Sequence, residues 1–381
     1  MVAGSNSAGT TGLAPASGRI LTMGSFWRGQ SIESAMARGG DNFHLLRHFL
    51  ALAVIVSHAF SVGTGNGADE PLHASTGFAL GEHAVNGFFA ISGFLVTMSF
   101  VRRGPLDYML ARTLRIAPAL IAAVFVCAFM MGPIMTTLPL ANYLRDQQLW
   151  RFVQATLTTL KSTAPLPGVF ADNPFHFPLG TVWTLKYEII CYGVVLALGV
   201  AGALRHRMVV LGLVVGLVVA CLGLDIWYPE AAKGTQTSIR LPLIFLLGSV
   251  FYLYREKVRF SALFIVILAM VTWICADTPL YRTLLFVTEG YGILWLALGM
   301  APLLRKPPRP DLSYGLYLYG WPVQQVLFVL FPTMSAAAMI SPAMVLSAVI
   351  AAASWYAIEQ PALKLKGRLM HVATRRHSAA V

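Results

Sequence analysis

Long apolar runs dominate this chain and constrain its fold more than any other feature. Ten of them occupy residues 44–63, 82–101, 113–133, 183–203, 208–224, 241–254, 260–276, 283–303, 313–331 and 339–360. A helix of about 20 residues crosses the hydrocarbon core of a bilayer, and a backbone inside lipid must satisfy its own hydrogen bonds. The sequence therefore predicts an all-α, polytopic membrane protein with about ten transmembrane helices. A soluble fold is excluded, since 57% of the residues are hydrophobic and only 12% are charged.

The basic residues predict how these helices are oriented. The formal net charge of +12 suggests a nucleic-acid partner at first, but the positive charges occur in short loops between apolar runs, where they set topology. The loops that lie on the same side of the membrane as the N-terminus carry most of these basic residues. We therefore expect both termini in the cytoplasm and no nucleic-acid partner.

Composition divides the chain into three parts. Residues 1–41 are rich in Gly, Ser, Ala and Arg without an apolar segment of a signal peptide, and we expect a disordered cytoplasmic tail. Residues 42–361 form the predicted membrane domain, and residues 362–381 form a basic cytoplasmic tail. Between the spans, the outer segment 134–182 carries many aromatic residues and is expected to pack as a partial lid. The four cysteines lie singly in apolar runs, so no metal site is predicted.

The first span carries an arginine and a histidine on one helix face. Arg47 and His58 are eleven residues apart, which is three helical turns and about 16 Å along the axis. An ionisable side chain deep in a membrane span is costly and usually marks function. The alternative is an interfacial anchor at Arg47 and a purely structural hydrogen bond at His58.

Small residues and arginines follow in the next two spans. Gly87, Ala90, Ser92 and Gly93 would let a helix or a substrate approach closely. Arg112 and Arg115 occupy adjacent turns at the predicted start of the third span, where two guanidinium groups suit a phosphate. Positive-inside anchoring accounts for some of these arginines without any ligand.

Later spans add a carboxylate and two tyrosines. Glu188 lies about as deep in its span as His58 does in the first, so it is a candidate to orient the imidazole or the acceptor. Glu289 is a weaker candidate for the same role, and an ion pair is the structural alternative. Tyr314 and Tyr317 lie one turn apart near the predicted inner face, where aromatic residues are common regardless of function.

Six ordered motifs resemble those of the acyltransferase-3 family, the multi-spanning O-acyltransferases that modify surface polysaccharides. They are Arg47-x10-His58, Phe88-Phe-x-x-Ser-Gly93, Arg112-x-x-Arg115, Trp183-Thr-Leu-x-x-Glu188, Ser313-Tyr-x-x-Tyr317 and Glu359-x-Pro361. The resemblance implies a ten-helix fold, an acyl-coenzyme A donor at the cytosolic face, and an essential His58. Many relatives have a histidine where this chain has Gly320, so no role of that histidine is carried over.

The function that this resemblance implies is O-acyl transfer at a bacterial inner membrane, most simply acetyl transfer, from acyl-coenzyme A to a hydroxyl of a cell-surface or lipid-linked carbohydrate. Arg47, Arg112 and Arg115, with Tyr314 and Tyr317, would bind the donor, and no cofactor would be held permanently. His58 would act as general base and Glu188 would assist it. Direct transfer and a relay through acyl-His58 both fit. The alternative is a transporter or flippase for a lipid-linked glycan.

Overall fold

The computed structural model describes residues 29–300 and 310–367, and most of them are helical. The helices are α1 Ile32–Ala37, α2 Phe43–Thr64, α3 Pro71–Thr76, α4 Leu80–Arg103, α5 Pro105–Val126, α6 Gly132–Met135, α7 Leu140–Arg145, α8 Gln147–Thr159, α9 Trp183–Val200, α10 Arg207–Trp227, α11 Lys233–Leu253, α12 Ala262–Ile274, α13 Tyr281–Leu294, α14 Ser313–Leu330 and α15 Ala336–Ser354. Three π-helical segments, Cys127–Met131, Trp295–Gly299 and Trp355–Glu359, extend α5, α13 and α15. Two short antiparallel strands, β1 Gln30–Ser31 and β2 Arg259–Phe260, form the sheet.

Seven helices of the described chain are long and apolar enough to cross a membrane, so the protein is a polytopic helical membrane protein. They are α2, α4, α9, α10 and α11, together with the continuous helices Pro105–Met135, which includes α5 and α6, and Ala336–Gly367, which begins with α15. Each of the other three predicted runs also contains a helix: α12, α13 and α14. The count of ten spans and the cytoplasmic position of both termini remain predictions.

Helix α4 lies at the centre of the bundle and is largely buried. It packs against α2, α9, α11 and α13, whereas α14 packs against α2 and α15. The small residues of α4 explain this central position. A Cβ at Gly93 would lie 1.8 Å from the carbonyl oxygen of Phe245 in α11, and a Cβ at Gly248 would lie 2.2 Å from that of Ala90. Ala90 and Gly93 therefore serve helix packing and leave no space for a substrate beside them.

The third span begins earlier than its apolar run suggests. Gly104 has φ +80° and separates α4 from α5, which starts at Pro105. Glycine adopts this left-handed conformation without penalty, and proline suits the first turn of a helix. Arg112 and Arg115 consequently lie two to three turns inside α5, and their predicted location at a helix start is wrong.

The predicted disorder of residues 1–41 is wrong for its described part. Gln30 and Ser31 pair with Phe260 and Arg259, and Ile32 of α1 is fully buried in the main hydrophobic core. Burial of apolar residues together with strand pairing offsets the entropy cost of ordering this segment. Residues 1–28 of the predicted tail lie outside the described residues. The same is true of 368–381 in the predicted C-terminal tail, whereas residues 362–367 continue the last helix.

Candidate active site

One cavity of ≈ 370 Å³ gathers six of the seven site residues predicted from the sequence. These six are Arg47, Arg112, Arg115, Glu188, Tyr314 and Tyr317. They come from four helices, α2, α5, α9 and α14, and α4 and the last helix complete the lining. Its lining includes five basic and two acidic side chains, namely Arg47, Arg103, Arg112, Arg115 and Lys366 against Glu188 and Asp311, which is a formal charge of +3. A cavity with this lining favours an anionic ligand.

Two of the three predicted phosphate-binding arginines share one carboxylate. Nη1 of Arg47 lies 3.0 Å, and Nη2 of Arg115 lies 2.9 Å, from the same Oδ2 atom of Asp311. Arg115 is also 3.8 Å from Glu359. Asp311 accepts a further hydrogen bond, 2.7 Å long, from the hydroxyl of Ser313. The carboxylate therefore fixes both guanidinium groups at the cavity wall.

The charge state of Asp311 follows from these contacts. Burial alone would raise the pKa of its carboxyl group, but the neighbouring Arg47 and Arg115 hold that pKa well below its usual range. Asp311 is therefore ionised at neutral pH, and it neutralises part of the positive charge that a ligand would meet.

Arg112 has a different environment from the other two arginines. Its guanidinium carbon lies 5.7 Å from the ring centroid of Tyr192, and no ion pair with a carboxylate of the described residues is formed. Its Nε atom is buried without a hydrogen-bond partner in the described part of the chain. Arg112 is thus the inner cavity arginine best able to accept a new anionic partner.

Glu188 lines the cavity from α9, and its partner Tyr192 also contacts Arg112. Its Oε1 atom accepts hydrogen bonds from the hydroxyl of Tyr192, one turn later, and from that of Ser92 at 3.4 Å. Among the described residues it makes no hydrogen bond to His58. Glu188 can therefore act on a group inside the cavity through its remaining lone pairs, and a direct contact to the imidazole is absent from this structure.

Tyr314 and Tyr317 occupy different depths of the cavity wall. The hydroxyl of Tyr314 donates to the carbonyl of Ile116, and its ring lies 5.7 Å from Arg115. Tyr317 is 2.6 Å from the hydroxyl of Thr184, and its ring meets that of Phe88 edge on at 5.9 Å. The cavity thus has a cationic part beside Tyr314 and an aromatic part beside Tyr317.

His58 is the one predicted site residue that does not line this cavity. It faces α14, where its ring meets Trp321 at 5.0 Å and an angle of 88°. Trp321 follows Tyr317 by one helical turn, so the aromatic part of the cavity is the part directed toward His58. One turn before His58, the carbonyl of Ile55 accepts a hydrogen bond of 2.6 Å from the fully buried Gln324.

The aromatic outer segment covers this region, as the sequence predicts for a partial lid. Phe177 stacks on Trp321 at 5.4 Å with nearly parallel planes, and its carbonyl accepts a hydrogen bond from the indole nitrogen. Asn173 and Gln325 are joined by a buried hydrogen bond of 2.8 Å. The segment from Asn173 to Phe177 is therefore attached to the same face of α14 that contacts His58.

The position of Gly320 explains how closely α2 and α14 approach here. A Cβ at this position would lie 2.8 Å from a side-chain carbon of Ile55. The histidine that many relatives have at this position would not fit between these helices without a shift.

Glu289, the weaker candidate for the role of Glu188, belongs to a separate polar cluster. It pairs with His83, and its second oxygen accepts a hydrogen bond of 2.7 Å from Asn86. None of these three residues lines the cavity. A structural role in packing α13 against α4 accounts for Glu289.

A second group of potential ligands adjoins the arginines. His44, His48 and Asp311 bring one ligand atom each within 4.8 Å of one another, the one such cluster among the described residues. Both ring nitrogens of His48 already have partners, the carbonyl of His44 at 2.8 Å and the amide of Leu312 at 3.1 Å. Asp311 is already paired with two arginines. We therefore interpret the cluster as a hydrogen-bonded network that stabilises the cavity wall.

Sequence reasoning missed Asp311, Tyr192, Arg103 and Lys366 as cavity residues. One signal was available for Asp311, which is the only acidic residue between Glu289 and Glu359 and directly precedes the tyrosine motif. The two basic residues carried no such signal, since topology alone accounts for cations in these places.

Comparisons with known proteins agree with the motifs. A curated O-acetyl transferase of Shigella phage Sf6 is 25% identical over 300 residues, covering 75% of this chain and 85% of the relative. Nodulation protein 10 of Rhizobium leguminosarum bv. viciae is 28% identical over 382 residues, covering 87% of this chain and 95% of the relative. No solved structure matches the chain. The profile of the acyltransferase domain matches residues 41–358, and the chain therefore belongs to the acyltransferase-3 family of O-acyltransferases.

Proposed function

We propose that this O-acyltransferase transfers an acetyl group from acetyl-coenzyme A to a hydroxyl of a cell-surface or lipid-linked carbohydrate at a bacterial inner membrane. The observation that carries the proposal is the cavity, in which a cationic part and an aromatic part adjoin and the aromatic part is directed toward His58. The name of the phage relative, O-acetyl transferase, supports acetyl as the group transferred.

The donor would enter with its phosphates at the cationic part of the cavity. Arg112 would provide the main new contact, because Arg47 and Arg115 are already bridged by Asp311. The pantetheine arm would extend past Phe88 and Tyr317 toward His58. Arg47 and His58 are eleven residues apart on α2, about 16 Å along the axis, so an extended arm is required to bridge them.

His58 would remove the proton from the acceptor hydroxyl as its oxygen attacks the thioester carbonyl. The carbon–sulfur bond then breaks, and the proton passes to the departing thiolate of coenzyme A. Glu188 would orient a polar group within the cavity through its free lone pairs. A relay through acyl-His58 uses the same residues and differs only in which nucleophile attacks first. The acceptor would arrive from the predicted outer side, beneath the segment from Asn173 to Phe177.

The experiment is acyl transfer by purified protein in lipid nanodiscs. Acetyl-coenzyme A labelled in the acetyl group is mixed with a polysaccharide and lipid-linked glycan fraction from the host envelope, and label in the carbohydrate is measured. We expect label with the wild-type protein and none with His58→Ala. Movement of glycan across the bilayer without transfer of label would support the transporter alternative instead.

A further inference from the structure

The mouth of the cavity carries two cations that the proposed reaction does not use. Arg103 at the end of α4 and Lys366 in the last helix both contribute to the cavity lining. Asp107 lies between them, with its Oδ1 atom 2.8 Å from Nζ of Lys366 and 3.9 Å from Nη1 of Arg103. The Arg103 side chain is 63% exposed, whereas that of Lys366 is 17% exposed. Arg103 therefore lies at the opening of the cavity, and Lys366 lies further inside it. We call these two residues the mouth pair.

These cations are separate from the inner arginines. Asp107 precedes Arg112 by five residues on α5, which is about 7.5 Å along the helix axis. On the facing helix, Lys366 follows Glu359 by seven residues, or about 10 Å, and Glu359 is the partner of Arg115. Two levels of positive charge thus occur along one cavity, the first at Arg112 and Arg115 and the second at Arg103 and Lys366.

A ligand that matches both levels carries two separated anionic groups. Coenzyme A has this property, since its adenosine bears a 3′-phosphate in addition to the diphosphate that leads to pantetheine. A terminal phosphate monoester carries nearly two negative charges at neutral pH and offers three acceptor oxygens to cationic donors. One carboxylate, Asp107, leaves a surplus positive charge on the mouth pair.

We infer that Arg103 and Lys366 form a subsite for the 3′-phosphate of the acyl-coenzyme A donor. The inference rests on the proposed function, which supplies the acyl-coenzyme A donor. It adds a physical basis for selecting that donor. The subsite would favour coenzyme A thioesters over donors that carry the acyl group on phosphopantetheine alone. Asp107 holds Lys366 at the mouth and competes with the phosphate for it.

A phosphate at this position has a second source, the headgroup of an anionic phospholipid. Basic residues at a membrane surface attract such headgroups. The position of Lys366 favours the coenzyme, because the lysine lines the cavity and most of its side chain is buried. The experiment separates the two sources.

The test measures binding of coenzyme A and 3′-dephospho-coenzyme A to the purified full-length protein by calorimetry. The variants are Arg103→Gln and Lys366→Gln, with Arg102→Gln and Lys364→Gln as controls, because these neighbours are exposed and do not line the cavity. We expect the wild-type protein and both controls to bind coenzyme A about tenfold more tightly than the dephospho form. That ratio should approach one in Arg103→Gln and Lys366→Gln, and it should rise in Asp107→Asn.

The ratio of the two affinities separates the subsite from general damage, which weakens both ligands alike. Equal binding of the two ligands by the wild-type protein overturns the subsite and leaves the proposed function intact. Binding of neither ligand overturns the proposed donor as well. Each titration is repeated with and without phosphatidylglycerol in the nanodisc. A ratio that stays at tenfold in both variants, while their retention of phosphatidylglycerol falls, assigns the pair to lipid and overturns the inference.

Discussion

The imidazole of His58 meets the indole of Trp321 edge on, with ring centroids 5.0 Å apart. The indole is in turn held by Phe177 of the outer segment, through stacking and a hydrogen bond of 3.0 Å. His58 is therefore linked to the outer segment on one side, while the cavity begins one helical turn away at Tyr317. This arrangement fits the proposed reaction, in which His58 would meet the donor from the cavity and the acceptor from beneath the outer segment.

Replacement of His58 by alanine should abolish transfer and leave donor binding nearly unchanged. Loss of a general base costs about 10²- to 10⁴-fold in rate, whereas the cationic part of the cavity does not include this residue. Transfer rate, coenzyme A affinity and thermal stability are measured on the same purified variant. Retained transfer in a well-folded variant would refute the role, and loss of stability together with donor binding would indicate a structural histidine.

Glu188→Gln should stay folded and lower turnover by about tenfold, because the amide retains the size of the side chain but loses the charge that strengthens its hydrogen bonds. Glu289→Gln is the matched control, since Glu289 lies outside the cavity and pairs with His83. Steady-state transfer assays on both variants check the assignment. If Glu188→Gln is fully active, and Glu289→Gln keeps its thermal midpoint but loses turnover, the carboxylate that supports turnover is Glu289.

The two arginines of the Arg-x-x-Arg motif should give different defects. Arg112→Gln is expected to weaken donor binding about tenfold at nearly normal stability, because Arg112 has no ion pair within the described chain to lose. Arg115→Gln should also lower the thermal midpoint, since it releases Asp311 and Glu359 from their shared partner. Unchanged donor affinity in both variants would contradict the phosphate-binding role.

Asp311→Asn should destabilise the protein by about 3 kcal/mol, because it leaves two largely buried guanidinium groups without their shared carboxylate. The pKa of Asp311 is lowered in the folded state, so the carboxylate contributes stability above the ordinary aspartate pKa of about 3.9 and loses it only as the pH falls further. The deficit of the variant should therefore be constant between about pH 5 and pH 8. Thermal unfolding across this range provides the measurement, and a deficit that disappears near pH 6 would disprove the assignment.

Gly93→Ala should lower stability by about 1 to 3 kcal/mol, because the added methyl group would overlap the backbone of Phe245 and force α4 from α11. Gly193→Ala in α9 is the control, since a Cβ there meets nothing within 4 Å, and it should be neutral or slightly stabilising. The comparison uses thermal midpoints of purified protein. Equal midpoints for the two variants would show that close helix approach at Gly93 does not contribute to stability.

Local sequence determined the class of fold and the chemical components of the site. Apolar length alone predicts membrane helices, because a backbone in lipid has no other means of satisfying its hydrogen bonds. The spacing from Arg47 to His58 follows from helix geometry, and the motifs around Arg112, Glu188 and Tyr317 indicate the family. The sequence also predicts that the aromatic outer segment packs as a lid.

The tertiary structure decided which of these residues meet. Six of them share one cavity because α2, α5, α9 and α14 converge, and convergence of helices distant in sequence leaves no local pattern. The bridging of two arginines by Asp311, the use of Gly93 for helix packing and the separation of His58 from Glu188 depend on the relative rotation and depth of packed helices. Those are set by side-chain interlocking across the whole bundle, which no single segment of the sequence contains.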